Sequence, residues 1–320
     1  MPKVTIRDVA EAAGVSVSAV SYILNGSTKK KYSEATVKAV RRAAERLAYT
    51  PNNLARGMRS QKANAIGIVN FWERNSAFFA PTLRTVAEAA SASFISTVIC
   101  TGCEDFSYIE YFKNRTVDGF VVIVPTSVQF NERAHIRALR EAGAPFVIIN
   151  GTVRGADIPA IYYDFYGASC VAVSYLLELG RRRIVYVDEF SEEAARELRD
   201  RREGYVDTVR EAGLLPRVYD LEHLSLSDLS GAESIVTSRA ETARALMRRF
   251  LDEGIRVPAG FEILAGSGEE LAGEDSTPLT AVEFPYELVG QAAVRMATGL
   301  DPAAPITPKP TIRKGKTVRE

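Results

Sequence analysis

Val17, Ser18, Ser21 and Tyr22 fall on one side of a short helix-compatible segment. Their groups suit the edges of bases in a DNA groove, since hydroxyls donate and accept and an aliphatic or aromatic side chain meets a thymine methyl. Lys29, Lys30 and Lys31 follow as a run suited to phosphate oxygens. Other chemistry is thin. Cys100-Thr101-Gly102-Cys103 is a CxxC, open to a redox or a structural reading. It ends a strand-like run instead of opening a helix, which favours structural thiols. His135, His223 and Cys170 show no metal spacing. With no Ser-His-Asp set, Gly-x-Ser-x-Gly or P-loop, no catalytic residue, metal ligand or cofactor is expected, and the chain does not read as an enzyme.

The elements that would present these side chains are legible. Thr5-Ile6-Arg7-Asp8 has the form of a helix N-cap, with Asp in place of the usual Glu, and the helix it opens buries Val9, Ala10 and Ala13. Gly14 supplies a turn. Ser16 caps a second helix, Val17 to Leu24, whose core face is Val20, Ile23 and Leu24 and whose end is Asn25-Gly26. Ser33 caps a third helix with the apolar line Val37, Val40, Ala44 and Leu47. Two short helices joined by a Gly-containing turn form a helix-turn-helix, in which the second helix enters the major groove.

Charge supports a polyanionic partner for this segment. The chain of 320 residues has net charge zero, yet residues 1–62 hold twelve Lys and Arg against four Asp and Glu, a net of +8, leaving −8 on the rest. At 46% hydrophobic and 25% charged residues it has an ordinary globular composition. The longest apolar run, Phe120 to Val124, is far short of the roughly 20 residues of a membrane span. No signal-peptide pattern is visible, and three cysteines suit a reducing compartment, so a cytoplasmic protein without a membrane partner is expected.

From Ala65 onward short apolar runs alternate with stretches of helical period. The runs are Ala65–Phe71, Ile95–Cys100, Gly119–Val124, Phe146–Asn150, Ile161–Asp164, Ile184–Val187, Ile235–Thr237 and Glu262–Ala265. The helical stretches are Leu83–Ala92, Ala134–Ala142, Ala168–Leu179, Glu193–Ala212 and Glu241–Asp252. That alternation predicts an α/β fold with doubly wound parallel sheets, in two subdomains given the number of strands.

The head, from Val4-Thr5-Ile6-Arg7-Asp8-Val9-Ala10 through Ala13-Gly14-Val15-Ser16-Val17-Ser18-Ala19-Val20-Ser21, resembles the DNA-binding head of the LacI/GalR family of bacterial transcription regulators. Leu24-Asn25-Gly26, Leu47-Ala48-Tyr49-Thr50-Pro51-Asn52 and Ala55-Arg56-Gly57-Met58-Arg59-Ser60 continue the match. Later blocks, among them Thr116-Val117-Asp118-Gly119, Leu177–Ile184, Gly254–Pro258 and Pro278-Leu279-Thr280, are similar to the family's effector domain of periplasmic-binding-protein type. The resemblance implies a helix-turn-helix domain at 1–50, a hinge helix and linker at 51–62, and an effector-binding and dimerisation domain at 63–320. Within the last, subdomain N takes about 63–160 and 286–308 and subdomain C about 161–285 and 309–320, with crossings near Ile161, near Pro285 and in the tail.

The implied function is a repressor that binds a palindromic DNA operator as a homodimer and is switched by a small ligand in the cleft. DNA contact is implied further for Thr5, Asn25, Ala55 and Arg56. Met58 stands where the family wedges a Leu into the minor groove, with Arg59 beside it. Gly57 costs the hinge helix about 1 kcal/mol, so DNA and a partner chain are needed to order it. Tyr22 replaces a usual Arg, which removes an arginine–guanine contact. For the effector, the resemblance points to Phe78, Asp164, Arg201, Arg239, Ser267 and Tyr286. Two family acidic anchors are replaced, by Arg239-Ala240 and within Ala265-Gly266-Ser267-Gly268. Arg201 and Arg239 with Ser267 suit a phosphorylated or carboxylated effector; another small ligand, a ligand-independent sensor and a plain solute-binding protein stay open.

Overall fold

The computed structural model describes residues 4–24, 32–47, 49, 62–70, 79–101, 105–124, 130–189, 196–268, 277–301 and 304–320. The chain divides into a unit ending at Asn64 and a unit running from Ala65 to Glu320.

The first unit is three helices, α1 (Ile6–Ala13), α2 (Val17–Leu24) and α3 (Glu34–Arg46). At the start of α1 the Thr5 amide and hydroxyl both donate to Asp8 Oδ2, at 2.7 and 2.8 Å. Those bonds hold the Asp8 carboxyl below its ordinary pKa. Gly14 ends α1 at φ 64°, a left-handed position that costs glycine nothing. Ser16 Oγ accepts from Ala19 N at 3.2 Å and Ser33 Oγ from Thr36 N at 3.2 Å. Val9, Ala10, Val20, Ile23, Val40, Ala43 and Ala44 form the core, with Ala13, Leu24, Val37 and Leu47 packed at its edge.

The second unit holds two sheets. The first has the order β2-β1-β3-β4-β5, all parallel, from β1 (Ala65–Asn70), β2 (Ser96–Thr101), β3 (Phe120–Ile123), β4 (Phe146–Ile149) and β5 (Ala160–Ile161). Helices α4 (Phe79–Ala92), α5 (Ile109–Lys113) and α6 (Glu132–Glu141) belong to this stretch of chain. The second sheet has the order β11-β10-β9-β8-β6-β7. Its strands are β6 (Ile184–Asp188), β7 (Val218–Asp220), β8 (Ser234–Thr237), β9 (Glu262–Ala265), β10 (Thr280–Glu283) and β11 (Thr311–Arg313). The helices of this stretch are α7 (Phe165–Glu178), before β6, and α8 (Arg196–Glu211), α9 (Ala240–Asp252) and α10 (Tyr286–Ala297) among its strands. Strands β3, β4, β6, β8 and β9 are buried along their whole length, as strands covered on both faces must be.

The chain changes sheets three times. It leaves the first after Ile161, and α10, next after β10, packs on β3 and β4 and closely along α4. Gly290 makes that approach possible, since a Cβ there would stand 2.4 Å from the Thr85 carbonyl. Ile306 then bridges to Ile161 in the first sheet before β11 joins the second.

Two expectations are corrected, and several elements were not foreseen. The run Ile161–Asp164 is not a strand: β5 stops at Ile161, and Asp164 caps α7 by accepting from Gly167 N at 2.7 Å. Sheet pairing ends there because the chain turns away to the other sheet. The second sheet is not wholly parallel, because β11 returns antiparallel to β10 as an edge strand. Elements at β7, β10, β11, α5 and α10 carry too short or too mixed a pattern to stand out in the sequence.

His135 on α6 is a core residue. Its ring stacks on Phe130 at 4.8 Å and lies 4.6 Å from Phe106, and its Nδ1 shares a 3.1 Å hydrogen bond with the Tyr108 hydroxyl. Burial pulls its pKa down to about 4, from an ordinary value near 6.5. The unfolded chain therefore binds the extra proton first. His135 contributes full stability above about pH 6.5, and that contribution is lost as pH falls towards 4. Thermal melts across that window should show a falling midpoint, and His135→Phe should flatten the fall; an unchanged slope in the variant would exclude His135 as its source.

Candidate functional site

On α2 the buried side is Ala19, Val20 and Ile23, and the opposite side carries exposed Val17, Ser18 and Tyr22, with Ser21 half-buried between. Helical period alone sets this division. Ser16 is also exposed, but its hydroxyl is engaged in capping α2 and in a 3.0 Å bond with Ser18. Thr5 is occupied as the cap of α1. Asn25, Lys29, Lys30, Ala55, Arg56, Met58 and Arg59 lie outside the described residues, as does Phe78.

In the second unit, three adjacent parallel strands bring most of the other candidates together at their carboxyl ends. Arg239 follows β8, Gly266 and Ser267 follow β9, and Arg201 stands on α8, the helix after β6. This is where open α/β sheets bind ligands. Arg201 is 1% exposed. Its Nε donates to Glu197 Oε1 at 3.2 Å and its Nη1 to the Gly266 carbonyl at 2.5 Å. Its guanidinium lies 4.9 Å from the Phe165 ring and 5.9 Å from Phe284. Arg239 Nη2 donates to the other oxygen of Glu197 at 3.2 Å. Burial works against the Arg239 charge, but the charge and hydrogen bond of Glu197 outweigh it and the pKa rises. Ser267 Oγ accepts from Ala240 N at 3.4 Å, at the start of α9.

Glu197, 2% exposed, is the residue that sequence reading missed. Its spacing of four from Arg201 was the available signal. Its second partner, 42 positions away, had none. The two arginines therefore share one internal carboxylate and are not a free cationic pair.

Asp164 is spent on its cap. Tyr286 begins α10 and joins Tyr163, Phe165 and Phe284 in an aromatic cluster at the crossings, with Tyr163 edge-on to Phe284 at 5.1 Å. It also borders an open groove of about 1110 Å³ between α4 and α10, whose lining includes neither Arg201 nor Arg239.

Arg196, adjacent to Glu197, reaches the other lobe. Its Nη2 lies 3.3 Å from the Asn150 carbonyl and 3.4 Å from Asn150 Oδ1. Asn150 is held at φ 61° and is 2% exposed. The loop after it is fixed by buried Glu132, which accepts from Thr152 N at 2.6 Å and Thr152 Oγ1 at 2.8 Å.

Elsewhere, Cys100 of the CxxC is buried in β2, and Cys103 lies outside the described residues. Asp220, Glu222 and His223 bring donor atoms within 4.8 Å of one another in a largely exposed turn, where Asp220 bonds His223 and raises its pKa. Among the described residues no helix is long and apolar enough to cross a membrane.

Comparison with known proteins gives these observations a family. Residues 5–52 match the bacterial regulatory proteins of the lacI family, residues 63–240 the periplasmic binding proteins and sugar binding domain of the LacI family, and residues 173–319 a periplasmic binding protein-like domain. Catabolite control protein A of Priestia megaterium is 25% identical over 92% of each chain. In fold, the transcriptional regulator CelR in complex with cellobiose matches with a TM-score of 0.62 at 23% identity, covering 99% of this chain and 100% of that one. The lac repressor dimer bound to operator and the anti-inducer ONPF matches with a TM-score of 0.62 at 19% identity, covering 99% of each. A helix-turn-helix head, a body of two α/β lobes and family matches along nearly the whole chain agree: this protein belongs to the lacI family of bacterial regulatory proteins.

Proposed function

We propose that this chain is a cytoplasmic, sequence-specific DNA-binding repressor that acts as a homodimer on a palindromic operator and is switched by a small molecule between the two lobes of its second unit. The observation that carries the reading is α2, with Val17, Ser18 and Tyr22 exposed on a helix whose other side is core, in a unit of net charge +8 up to residue 62. The relatives support it: the lac repressor is described as a dimer on operator, and CelR with cellobiose. Ligand would act by population shift, favouring one lobe arrangement over another. Arg196 on Asn150 is a contact such a shift would make or break. A sensor that needs no ligand is the second reading, favoured by the arginines being already paired.

The test is anisotropy of the full chain on labelled DNA from upstream of its own gene, against scrambled DNA, across a salt series. Tighter binding to the first with a steep salt slope is expected. Tyr22→Ala should lower the preference between the two DNAs by about 1–3 kcal/mol, the worth of a good base contact, while leaving the scrambled affinity nearly unchanged. Equal binding to both DNAs would place the operator elsewhere, and no binding at low salt would overturn the regulator reading.

A further inference from the structure

The Glu197 carboxylate lies between two guanidiniums, at the carboxyl ends of three parallel strands. Each of its oxygens is in use, Oε1 by Arg201 and Oε2 by Arg239. The partners are as fixed as the carboxylate. Arg201 is held by the Gly266 carbonyl and lies against the Phe165 and Phe284 rings. Gly266 itself is crowded, since a Cβ there would stand 2.5 Å from the Ser238 carbonyl and 3.1 Å from Arg201 Nη1. Two arginines converging on one carboxylate is the geometry by which proteins grip a ligand's carboxylate or phosphate. Here the chain supplies the anion itself.

The surrounding charges reinforce the point. Glu189 and Glu241 act on Arg239 in the same sense as Glu197. Glu189 also accepts from Thr242 Oγ1 at 3.2 Å. Next along α8, Arg202 pairs with Asp188 at 3.1 Å, and Asp188 is fully buried. Arg201, Arg202 and Arg239 thus face Glu197, Asp188 and Glu189, with Glu241 beyond. A further anion would enter a neutral or acidic neighbourhood.

The geometry points to Glu197 as a built-in occupant of the anion position: its carboxylate stands where an effector's carboxylate or phosphate would stand, so the effector position rejects anions and accepts uncharged ligands only. Removing the carboxylate converts the same position into a site for a small phosphate. The inference rests on the regulator reading only in treating these strand ends as the effector position.

Isothermal titration of the full-length chain with inorganic phosphate tests it, on wild type, Glu197→Gln, Glu197→Ser and the double variant Glu197→Gln/Arg239→Gln. Glu197→Ser removes the same charge with a smaller side chain, so misfolding of one variant does not decide the result. Wild type should show no saturable phosphate binding. The single variants should gain it, by about tenfold or more in affinity, and the double variant should lose it again. Saturable binding by wild type that is as tight as in the variants overturns the inference. So does a folded Glu197→Gln or Glu197→Ser chain that stays indifferent to phosphate. DNA binding by the same proteins, measured separately without phosphate, keeps the two readings apart. Specific DNA binding with no gain of phosphate affinity sinks only the role of Glu197. A gain of phosphate affinity with no DNA binding sinks only the regulator.

Discussion

Replacing Glu262 by alanine should cost about 3 kcal/mol of stability, read as a fall in the urea midpoint at pH 7, because it takes the acceptor from the fully buried Ser234 hydroxyl and from the largely buried Arg181 guanidinium. Glu262 opens β9 and is fully buried. Its carboxylate takes both Arg181 Nε and Nη2 at 2.8 Å, Arg319 Nε at 2.8 Å and Ser234 Oγ at 2.9 Å. It thereby joins the loop before β6, the neighbouring strand β8 and the last residues of the chain. An exposed pair such as Arg84–Glu88 is the contrast, with side chains 54% and 59% exposed, and Glu88→Ala should cost no more than about 1 kcal/mol. Equal losses in the two variants would refute the assignment.

Acid gives the same residue a second readout. Burial alone would raise the Glu262 pKa, but the bonds from Arg181, Arg319 and Ser234 outweigh it and hold it down at about 2. A carboxyl depressed on folding contributes stability fully above its unfolded pKa, near 4.5, and loses it as pH falls towards 2. The His135 window lies higher, between about 6.5 and 4, so the two losses separate along the pH axis.

Removing residues 1–62 should abolish specific DNA binding, a loss of about a thousandfold or more, and leave the rest folded. The first unit has a core of its own, from Val9 to Ala44, and the clusters of the second unit use residues from Ile66 onward. The remainder carries a net charge of −8, which repels DNA where the removed segment attracts it. Anisotropy on the same DNA fragments and urea denaturation read the two halves of the prediction. DNA binding retained by residues 63–320, or loss of their cooperative unfolding, would overturn it.

Local chemistry was legible along the chain wherever partners are close in sequence. Thr5 and Asp8 are three apart, and they form the cap that the spacing predicts. Val20 and Ile23 turn inward and Tyr22 outward by helical period alone. The apolar runs at Phe120–Ile123 and Phe146–Ile149 are strands buried on both faces, which is why they read as continuous instead of alternating. Asp164 shows the limit. Its neighbours Ile161, Tyr162 and Tyr163 have strand-forming side chains, yet the chain crosses to the other sheet there and the residue serves as a cap.

The paired arginines at the strand ends divide along the same line. The sequence by itself determined that charge is concentrated in the first 62 residues, and its family resemblance that Arg201 is retained while Arg239 stands at a replaced acidic anchor. Only the tertiary structure decided what the arginines face. Glu197 is four residues from one and 42 from the other, and the Gly266 carbonyl reaches Arg201 from another strand end. Helix caps and faces follow from periodicity, whose range is a turn or two. The charge state of a site depends on which groups the sheet order brings within a few ångströms, and the order β9-β8-β6 puts together segments that are far apart along the chain.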